Sequence, residues 1–336
     1  MKKRILYSML IAASTMVSLA SCDSFLEENP RDQITEEQAY KNSTLIYLNT
    51  VASLYTQVGG SSGGAGLQGT DRGIYDLNTF TTDEVMLPTR GGDWYDGGLW
   101  QNLFHHAWGT KNDLLKGSWD YLYKVIAQTN ASLDKLNSIL KEDPNNKVIP
   151  PYIAEVRAFR AMYYYYLLDM FARVPIVTSS KVELKDVEQS ERSAVFNFVK
   201  KELEETVEQL SDAHSNLSGE YYGRMTKPVA YLLLAKIALN SEIYADDNWT
   251  DGTKIDGKTI KFTVDGEEKN AWEATIAYCD KITALGYKLE PKFASNFSTT
   301  NENSVENIFT IPMDRNLYKN EFYYLIRSRH YSHAKA

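Results

Sequence analysis

The chain has 336 residues, of which 36 are lysine or arginine and 44 are aspartate or glutamate, and its formal net charge is −8. An acidic chain of this kind repels polyanions, which argues against nucleic acid and anionic lipid headgroups as partners. The length is sufficient to bury a large hydrophobic core, as one large domain or as two smaller ones.

The first 22 residues have the pattern of a bacterial lipoprotein signal peptide. Basic residues at positions 2–4 precede an uncharged stretch over 5–21, which ends with Leu-Ala-Ser directly before Cys22. These are the features of an exported precursor. We therefore predict that residues 1–21 are removed and that Cys22 carries acyl chains that anchor the protein to a membrane. The alternative is a retained transmembrane anchor, but the uncharged stretch is short for a span and rich in serine, threonine and alanine.

The rest of the chain is predicted to be mostly α-helical. Thr35-Glu36-Glu37-Gln38 is a capping box that opens a first helix, expected to run to about Gln57, where a glycine-rich stretch over 59–73 ends it. Apolar residues at helical spacing predict further helices over about 112–140, 149–171, 193–210, 228–244 and 271–285. Short strand-like pieces are expected over 174–177, 259–264 and 307–311.

Paired antiparallel helices of this length are typical of a helical-repeat superhelix such as tetratricopeptide units. Within the predicted helices, Phe159 and Leu233 are placed on buried faces, and Cys279 is expected to be a small buried hydrophobe. If Cys22 is lipidated, no disulfide forms within the chain. Residues 326–336 carry no cap, glycine stop or polar tail, so we expect the sequence to end within the fold, incomplete at the C-terminus.

Two glycine patterns in the chain match enzyme motifs. Residues 60–64 match the nucleophile elbow G-x-S-x-G, and residues 64–69 match the dinucleotide fingerprint. Both motifs need a strand immediately before them and a helix immediately after. A predicted helix precedes them here, so the stretch is interpreted as a flexible surface loop.

Metal and hydrolytic chemistry have little support. The five histidines show no convincing metal-ligand spacing. Two acidic pairs, Asp83 with Glu84 and Asp93 with Asp96, are the residues that a surface glycoside hydrolase would use. Because acids are frequent in this chain, hydrolysis is kept only as an alternative, and we predict no catalytic residue, no metal and no cofactor.

The strongest functional signal is a cluster of aromatic residues. Four of the six tryptophans fall between residues 94 and 119, and Trp94-Tyr95 lies in the glycine-flanked stretch Arg90–Gly98. Loops on a rigid scaffold carry binding residues disproportionately, and a large flat side chain in such a loop has no core to fill. A sugar ring offers apolar C–H faces to an aromatic platform and hydroxyl groups to charged side chains. We therefore predict a saccharide site, with Trp94 exposed as the platform, at Arg90, Asp93, Trp94, Tyr95 and Asp96.

An alternative exists for each tryptophan of this cluster. Trp94 could instead fold inward and anchor the loop. Trp100, Trp108 and Trp119 are interleaved with apolar residues, so packing in the core is favoured for these three.

Several segments along the chain match a known family. They cover residues 22–30, 82–84, 90–98, 155–175, 223–239, 306–312 and 327–333. Through these segments the chain resembles the SusD/RagB family of outer-membrane, nutrient-binding lipoproteins of the Bacteroidota. The resemblance spans the mature chain, 22–336. It implies that these residues form one SusD-like glycan-binding domain.

The resemblance implies a mostly α fold in which tetratricopeptide-like helix pairs form a right-handed superhelix and support a loop-rich ligand face. It implies no catalysis. Such proteins are surface-exposed lids that capture oligosaccharide and deliver it to a SusC-like, TonB-dependent outer-membrane transporter. The alternatives are a lid for other cargo, such as oligopeptides as in the RagB branch, and, less favoured, a surface hydrolase or a plain helical-repeat scaffold.

The resemblance also implies further site residues. In the starch-binding member, an aromatic arc follows the segment that matches 82–84, but this chain has Val-Met-Leu-Pro-Thr there. The resemblance therefore does not extend to starch as the ligand, and Trp94 and Tyr95 would replace the arc from a displaced position. The family's acid and arginine before that segment correspond to Asp71 and Arg72. Its later contacts correspond to Tyr323, Tyr324 and Arg327.

Overall fold

The computed structural model describes residues 35–60, 66–67, 72–314 and 316. Several predicted features lie outside the described residues: the signal peptide, Cys22, Asp71, Tyr323, Tyr324 and Arg327. The chain divides into two compact units, Met1–Ile46 and Tyr47–Ala336.

The predicted capping box is confirmed, but the helix that it opens is short. Thr35 Oγ1 accepts the Gln38 backbone N–H at 3.3 Å, and the Gln38 side chain accepts the Thr35 N–H at 3.1 Å. These two bonds satisfy backbone donors that the first turn leaves without helical partners. Helix α1 (Glu36–Ala39) ends after four residues, so the prediction that it runs to Gln57 is wrong.

The break after α1 has a local cause. Asn42 Oδ1 accepts a backbone N–H three residues further on, at 3.0 Å, which is the geometry of an N-cap. Helix α2 (Ser43–Tyr47) begins directly after it, and the chain continues through a π-helical segment, Leu48–Ala52, into helix α3 (Ser53–Tyr55). A capping side chain in the middle of an apolar pattern thus divides one predicted helix into several short pieces.

The remaining helices follow in chain order. They are α4 (Ile74–Phe80), α5 (Leu99–Phe104), α6 (Asp113–Glu142), α7 (Ile149–Phe171), α8 (Arg192–Thr206), α9 (Lys227–Leu239), α10 (Ser241–Tyr244) and α11 (Ala271–Ala284). The long helices lie where the apolar spacing predicts them. The predicted helix over 228–244 is divided into α9 and α10 at Asn240, whose side-chain amide donates to the carbonyl of Lys236 at 3.0 Å.

The two longest helices begin at clear sequence signals. Asn112 Oδ1 accepts the N–H groups of Leu114 and Leu115 at 3.0 and 3.2 Å and so caps α6. Helix α7 has proline in its first turn, where the missing N–H costs no hydrogen bond. Such signals explain why the predicted boundaries of these helices agree closely with the structure.

The core of the second unit forms where long helices pack in pairs. Helix α6 packs against α7, α7 against α8, and α9 against α11. The predicted burial of Phe159 and Leu233 is confirmed. Most residues of helix α7 are buried, as expected for a helix enclosed by two neighbours. No helix in the described ranges combines the length and the hydrophobicity that crossing a bilayer would require.

A buried ionic network joins the three central helices. Arg160 of α7 donates to Glu202 of α8 at 2.7 Å and to Asn130 of α6 at 2.7 Å. Arg157, one turn earlier on α7, donates to the other oxygen of Glu202 at 2.7 Å. Buried charges are tolerated when they are paired and hydrogen-bonded in this way. The network therefore links the three helices at fixed positions along their lengths.

One β-hairpin lies between α10 and α11. Strands β1 (Lys261–Val264) and β2 (Glu267–Asn270) pair antiparallel across Asp265-Gly266, which both have positive φ. Strand β1 was predicted, but β2 was not, because its four residues are all polar. The Asp-Gly dipeptide is the hairpin signal that would have found it. The other two strand-like segments were wrong: 174–177 makes only an isolated bridge, and 307–311 forms no strand.

The predicted burial of Cys279 is wrong, since this cysteine is exposed. Helix α11 buries the stripe Ala271, Ala274, Tyr278 and Ile282. The large ring of Tyr278, which stacks on Tyr231 of α9 with centroids 6.0 Å apart, sets that orientation. Cys279 follows Tyr278 directly and so lies on the solvent side of the stripe.

Candidate functional site

The loop Arg90–Gly98 lies over a small apolar cluster of its own. The cluster has ring contacts at its centre, because Trp100 of α5 meets Phe80 of α4 edge-on at 5.1 Å and Trp94 edge-on at 6.3 Å. Its buried members are Leu77, Phe80, Leu87, Trp94, Trp100, Leu103 and Leu114. Two short helices that the sequence did not reveal, α4 and α5, therefore supply the base on which the loop rests.

The start of the loop is a closed two-residue turn. Arg90 and Asp93 exchange backbone hydrogen bonds of 3.1 and 3.0 Å across Gly91-Gly92. Gly91 has φ +61°, a conformation that glycine adopts without steric cost. The turn therefore presents the Arg90 and Asp93 side chains from one fixed segment of backbone.

Trp94 is not the exposed platform that the sequence predicts. Only 8% of its surface is accessible, because its ring lies in the apolar cluster against Trp100. The alternative, that Trp94 folds inward and anchors the loop, describes the structure. Tyr95 is the exposed aromatic residue of this loop, with 57% of its surface accessible.

The chain separates Trp94 from Tyr95 by an unusual backbone path. Trp94 and Asp96 have φ values of +59° and +41°, which are rare for residues with a side chain. Such conformations persist only where the surroundings hold them in place, and they cluster at functional sites. Here the buried ring of Trp94 on one side and the contacts of Asp96 on the other provide the restraint.

Asp96 is the centre of a polar cluster at the loop. Its Oδ2 atom lies 3.2 Å from the guanidinium of Arg72 and accepts the indole N–H of Trp100 at 2.7 Å. The backbone N–H of Arg72 donates to Asp76 of α4 at 2.6 Å, and Asp76 is fully buried. Two predicted site residues, Arg72 and Asp96, thus meet directly although 24 positions separate them in the sequence.

Two residues near this cluster are not predicted from the sequence. Asp76 fixes the backbone of Arg72, and Tyr75, the residue before it, is exposed on α4. Neither stands out in the sequence, because α4 is too short for its periodicity to be recognised. The sequence feature that points to Tyr75 is its position, three residues after Arg72.

The other tryptophans differ from one another in burial. Trp100 is fully buried, as predicted, and Trp119 is half-buried and packs edge-on against Phe171 at 5.2 Å. The core position predicted for Trp108 is wrong, since 38% of its surface is accessible. Trp108 lies in the loop between α5 and α6, where its ring contacts His106 at 5.2 Å.

A separate cavity of about 300 Å³ lies between the β-hairpin and helices α8, α9 and α11. Its polar groups bond to one another: Tyr231 donates to Glu208 at 2.7 Å, and Lys281 pairs with Asp265 at 2.5 Å. None of the predicted site residues lines it. Among the residues that the structure describes, no three histidine, cysteine or acidic side chains are grouped so as to hold a metal ion.

Comparison with known proteins identifies related sequences. Residues 68–239, about half of the chain, match the SusD-like family described as "Starch-binding associating with outer membrane". A SusD-like protein, P25, of Formosa agariphila is 23% identical over 253 residues, which cover 73% of this chain and 44% of that protein. The starch-binding protein SusD of Bacteroides thetaiotaomicron is 22% identical over 313 residues, which cover 90% of this chain and 50% of that protein. The chain therefore spans about half the length of the curated relatives that it matches.

Solved structures share the fold. A laminarin-binding SusD-like protein superposes with a TM-score of 0.55 at 24% identity, over 80% of this chain and 51% of that one. Surface glycan-binding protein A from Bacteroides uniformis superposes with a TM-score of 0.58 at 18% identity, over 80% of this chain and 52% of that one. These matches confirm the predicted mostly α, SusD-like fold. The family match over residues 68–239, half of the sequence, establishes that this chain belongs to the SusD-like family.

Proposed function

We propose that this protein is a surface-exposed, outer-membrane lipoprotein that captures oligosaccharide and delivers it, as a lid, to a SusC-like TonB-dependent transporter. It acts by binding and not by catalysis. Relatives whose names record binding of starch, laminarin or glycans support a saccharide as the ligand. The observation that carries the proposal is that Tyr95 is exposed and directly precedes Asp96, which pairs with Arg72.

The chemistry of this surface suits a sugar ring. A pyranose has apolar C–H faces, which stack on the exposed ring of Tyr95, and hydroxyl groups that both donate and accept hydrogen bonds. The Arg72 guanidinium provides donors and the Asp96 carboxylate provides acceptors side by side. Arg90 and Asp93 supply the same two groups from the turn. Trp94 contributes by holding the loop, and Asp71, Tyr323, Tyr324 and Arg327 are proposed as additional contacts.

Replacing Tyr95 by alanine is expected to weaken saccharide binding while leaving the fold intact. Stacking of a base on an aromatic side chain contributes about 1–3 kcal/mol, and by analogy the loss corresponds to about a five- to 150-fold weaker affinity. Calorimetry with laminarin and with starch oligosaccharides measures the effect on the full chain.

Two variants serve as controls for this measurement. Tyr95→Phe keeps the ring and should retain most of the affinity. Trp249→Ala removes an equally exposed aromatic residue that lies against Arg173 and Arg192, elsewhere on the surface, and should leave the affinity unchanged. Wild-type affinity in a folded Tyr95→Ala variant would exclude Tyr95 from the site. Binding of peptides, with no saccharide bound, would indicate a different cargo.

The lipid anchor is a second part of the proposal. It rests on the signal-peptide pattern that ends at Cys22 and on the outer-membrane association in the family description. Two or more acyl chains anchor a protein stably, whereas a single chain binds only marginally. Cys22→Ala should therefore leave the protein in the soluble fraction after cell lysis and unlabelled by surface biotinylation. A Cys22→Ala variant that still fractionates with the outer membrane would contradict lipidation at this residue, and Cys279→Ala should behave as the wild type.

A further inference from the structure

We infer that the proposed site selects neutral saccharides and discriminates against saccharides that carry carboxylate or sulfate groups. This inference rests on the proposed function and concerns the same surface. The feature that carries it is the Arg72–Asp96 ion pair, in which the arginine already faces a carboxylate that buried residues hold in place.

The carboxylate is fixed from beneath. The Asp96 oxygen that lies 3.2 Å from Arg72 also accepts the indole N–H of Trp100 at 2.7 Å, and Trp100 has no accessible surface. A hydrogen bond to a charged acceptor is stronger than one between two neutral groups. Here the donor is held in the core. Asp96 therefore cannot turn away from Arg72 without leaving a buried indole N–H without its acceptor, which is costly.

The backbone of Arg72 is fixed as well. Its backbone N–H donates to the buried carboxylate of Asp76 at 2.6 Å, and its φ of +59° is a conformation that needs such a restraint. Trp100 holds the carboxylate of Asp96 and Asp76 holds the backbone of Arg72, and the two side chains are paired in the structure without a ligand. An anionic ligand would have to reach Arg72 past the negative charge of Asp96.

The chain segment that carries the pair is acidic as well. From residue 72 to residue 98 the chain has five acidic and two basic residues, within a chain of net charge −8. Acidic side chains at positions 83 and 84 are exposed. Like charges that are brought together at a binding surface lower affinity and suppress the wrong partner. A polyanionic saccharide is therefore disfavoured both at the pair and during its approach.

A neutral sugar uses the pair as it stands. One hydroxyl group accepts an N–H of the guanidinium while its neighbour donates to the carboxylate, so that neither charged group loses its partner. Two hydroxyl groups on neighbouring carbons of an uncharged pyranose can accept and donate in this way. The chemical class that fits is an uncharged hexose or pentose chain.

Matched polysaccharides that differ only in charge test the inference. The full wild-type chain is titrated with laminarin and sulfated laminarin, and with methyl-esterified homogalacturonan and polygalacturonate. We expect the neutral member of any pair that binds to bind at least about tenfold more tightly, equivalent to about 1.4 kcal/mol. Equal or tighter binding of the acidic member would overturn the inference while leaving saccharide binding in place.

Asp96→Asn tests whether the pair is the cause. The amide oxygen can still accept from Trp100, but the charge beside Arg72 is gone, so the neutral-to-acidic affinity ratio should fall at least about fivefold. Asp280→Asn removes the same charge from an exposed position on α11, outside this segment, and should leave the ratio nearly unchanged. An equal change in both variants would show that net charge, and not the ion pair, sets the preference. If Asp96→Asn does not fold, the wild-type ratio still decides the inference. Failure of every polysaccharide to bind would refute the proposed function itself and the inference with it.

Discussion

Replacing Glu202 by alanine is expected to lower the free energy of unfolding by about 3–5 kcal/mol, the range for breaking a buried ion pair by removing one partner. Glu202 accepts hydrogen bonds from Arg157 and Arg160 and is almost fully buried. Without it, the guanidinium of Arg160 keeps its charge in a site where Asn130 is its main remaining side-chain partner. Urea denaturation followed by circular dichroism measures the loss.

Glu205→Ala is the matched control, one turn further along α8. Glu205 also accepts from Arg157, at 2.5 Å, but 46% of its side-chain surface is exposed, against 8% for Glu202. Exposed ion pairs contribute about 0–1 kcal/mol, so this variant should unfold close to the wild-type midpoint. If the two variants lost similar amounts of unfolding free energy, burial would not distinguish the two carboxylates. The buried network would then be weaker than its geometry suggests.

Trp94→Ala is expected to destabilise the protein by about 3–5 kcal/mol, the usual cost of truncating a buried tryptophan. The reason is the cavity that would open beside Trp100 and Phe80. The loop above would lose its anchor at the same time, so weaker saccharide binding should accompany the lower stability. Thermal unfolding of the variant, with binding measured well below its midpoint, separates the two effects.

Tyr95→Ala is the neighbouring control. Tyr95 is mostly exposed, so its truncation should change the free energy of unfolding by less than about 0.5 kcal/mol, as for most surface substitutions. The two variants thus separate support of the loop from contact with the ligand. An unchanged melting temperature for Trp94→Ala would be incompatible with a core position for its indole.

The long helices could be predicted from the sequence because their signals are local. Apolar residues at helical spacing and capping or proline signals at their first residues place α6 and α7 within a few positions of their observed bounds. The first predicted helix failed because Asn42 caps a new helix within an apolar pattern. Strand β2 was missed because its residues are all polar, although the Asp-Gly turn before it signals a hairpin. The exposure of Cys279 depends on the packing of Tyr278 against α9, which no local pattern encodes.

The candidate site shows the same division between local and tertiary information. Asp96, which the composition of the loop suggested, and Arg72, which the family resemblance suggested, lie together in the structure. The sequence could not decide which of Trp94 and Tyr95 faces solvent, because that depends on the apolar cluster built by α4 and α5. Asp76 gave no signal in the sequence, since it contributes through a hydrogen bond to the backbone of Arg72.

The closed turn at Arg90–Asp93 has a consequence for the thermodynamics of capture. A flexible loop loses conformational entropy when a ligand orders it, and that loss is subtracted from the affinity. Here two backbone hydrogen bonds close the turn, and the buried ring of Trp94 restrains the residues that follow before any saccharide arrives. Little of the loop remains to be ordered. We therefore expect the entropy lost on binding to come mainly from the saccharide, so that stiff, extended chains are captured at less entropic cost than flexible ones of the same composition.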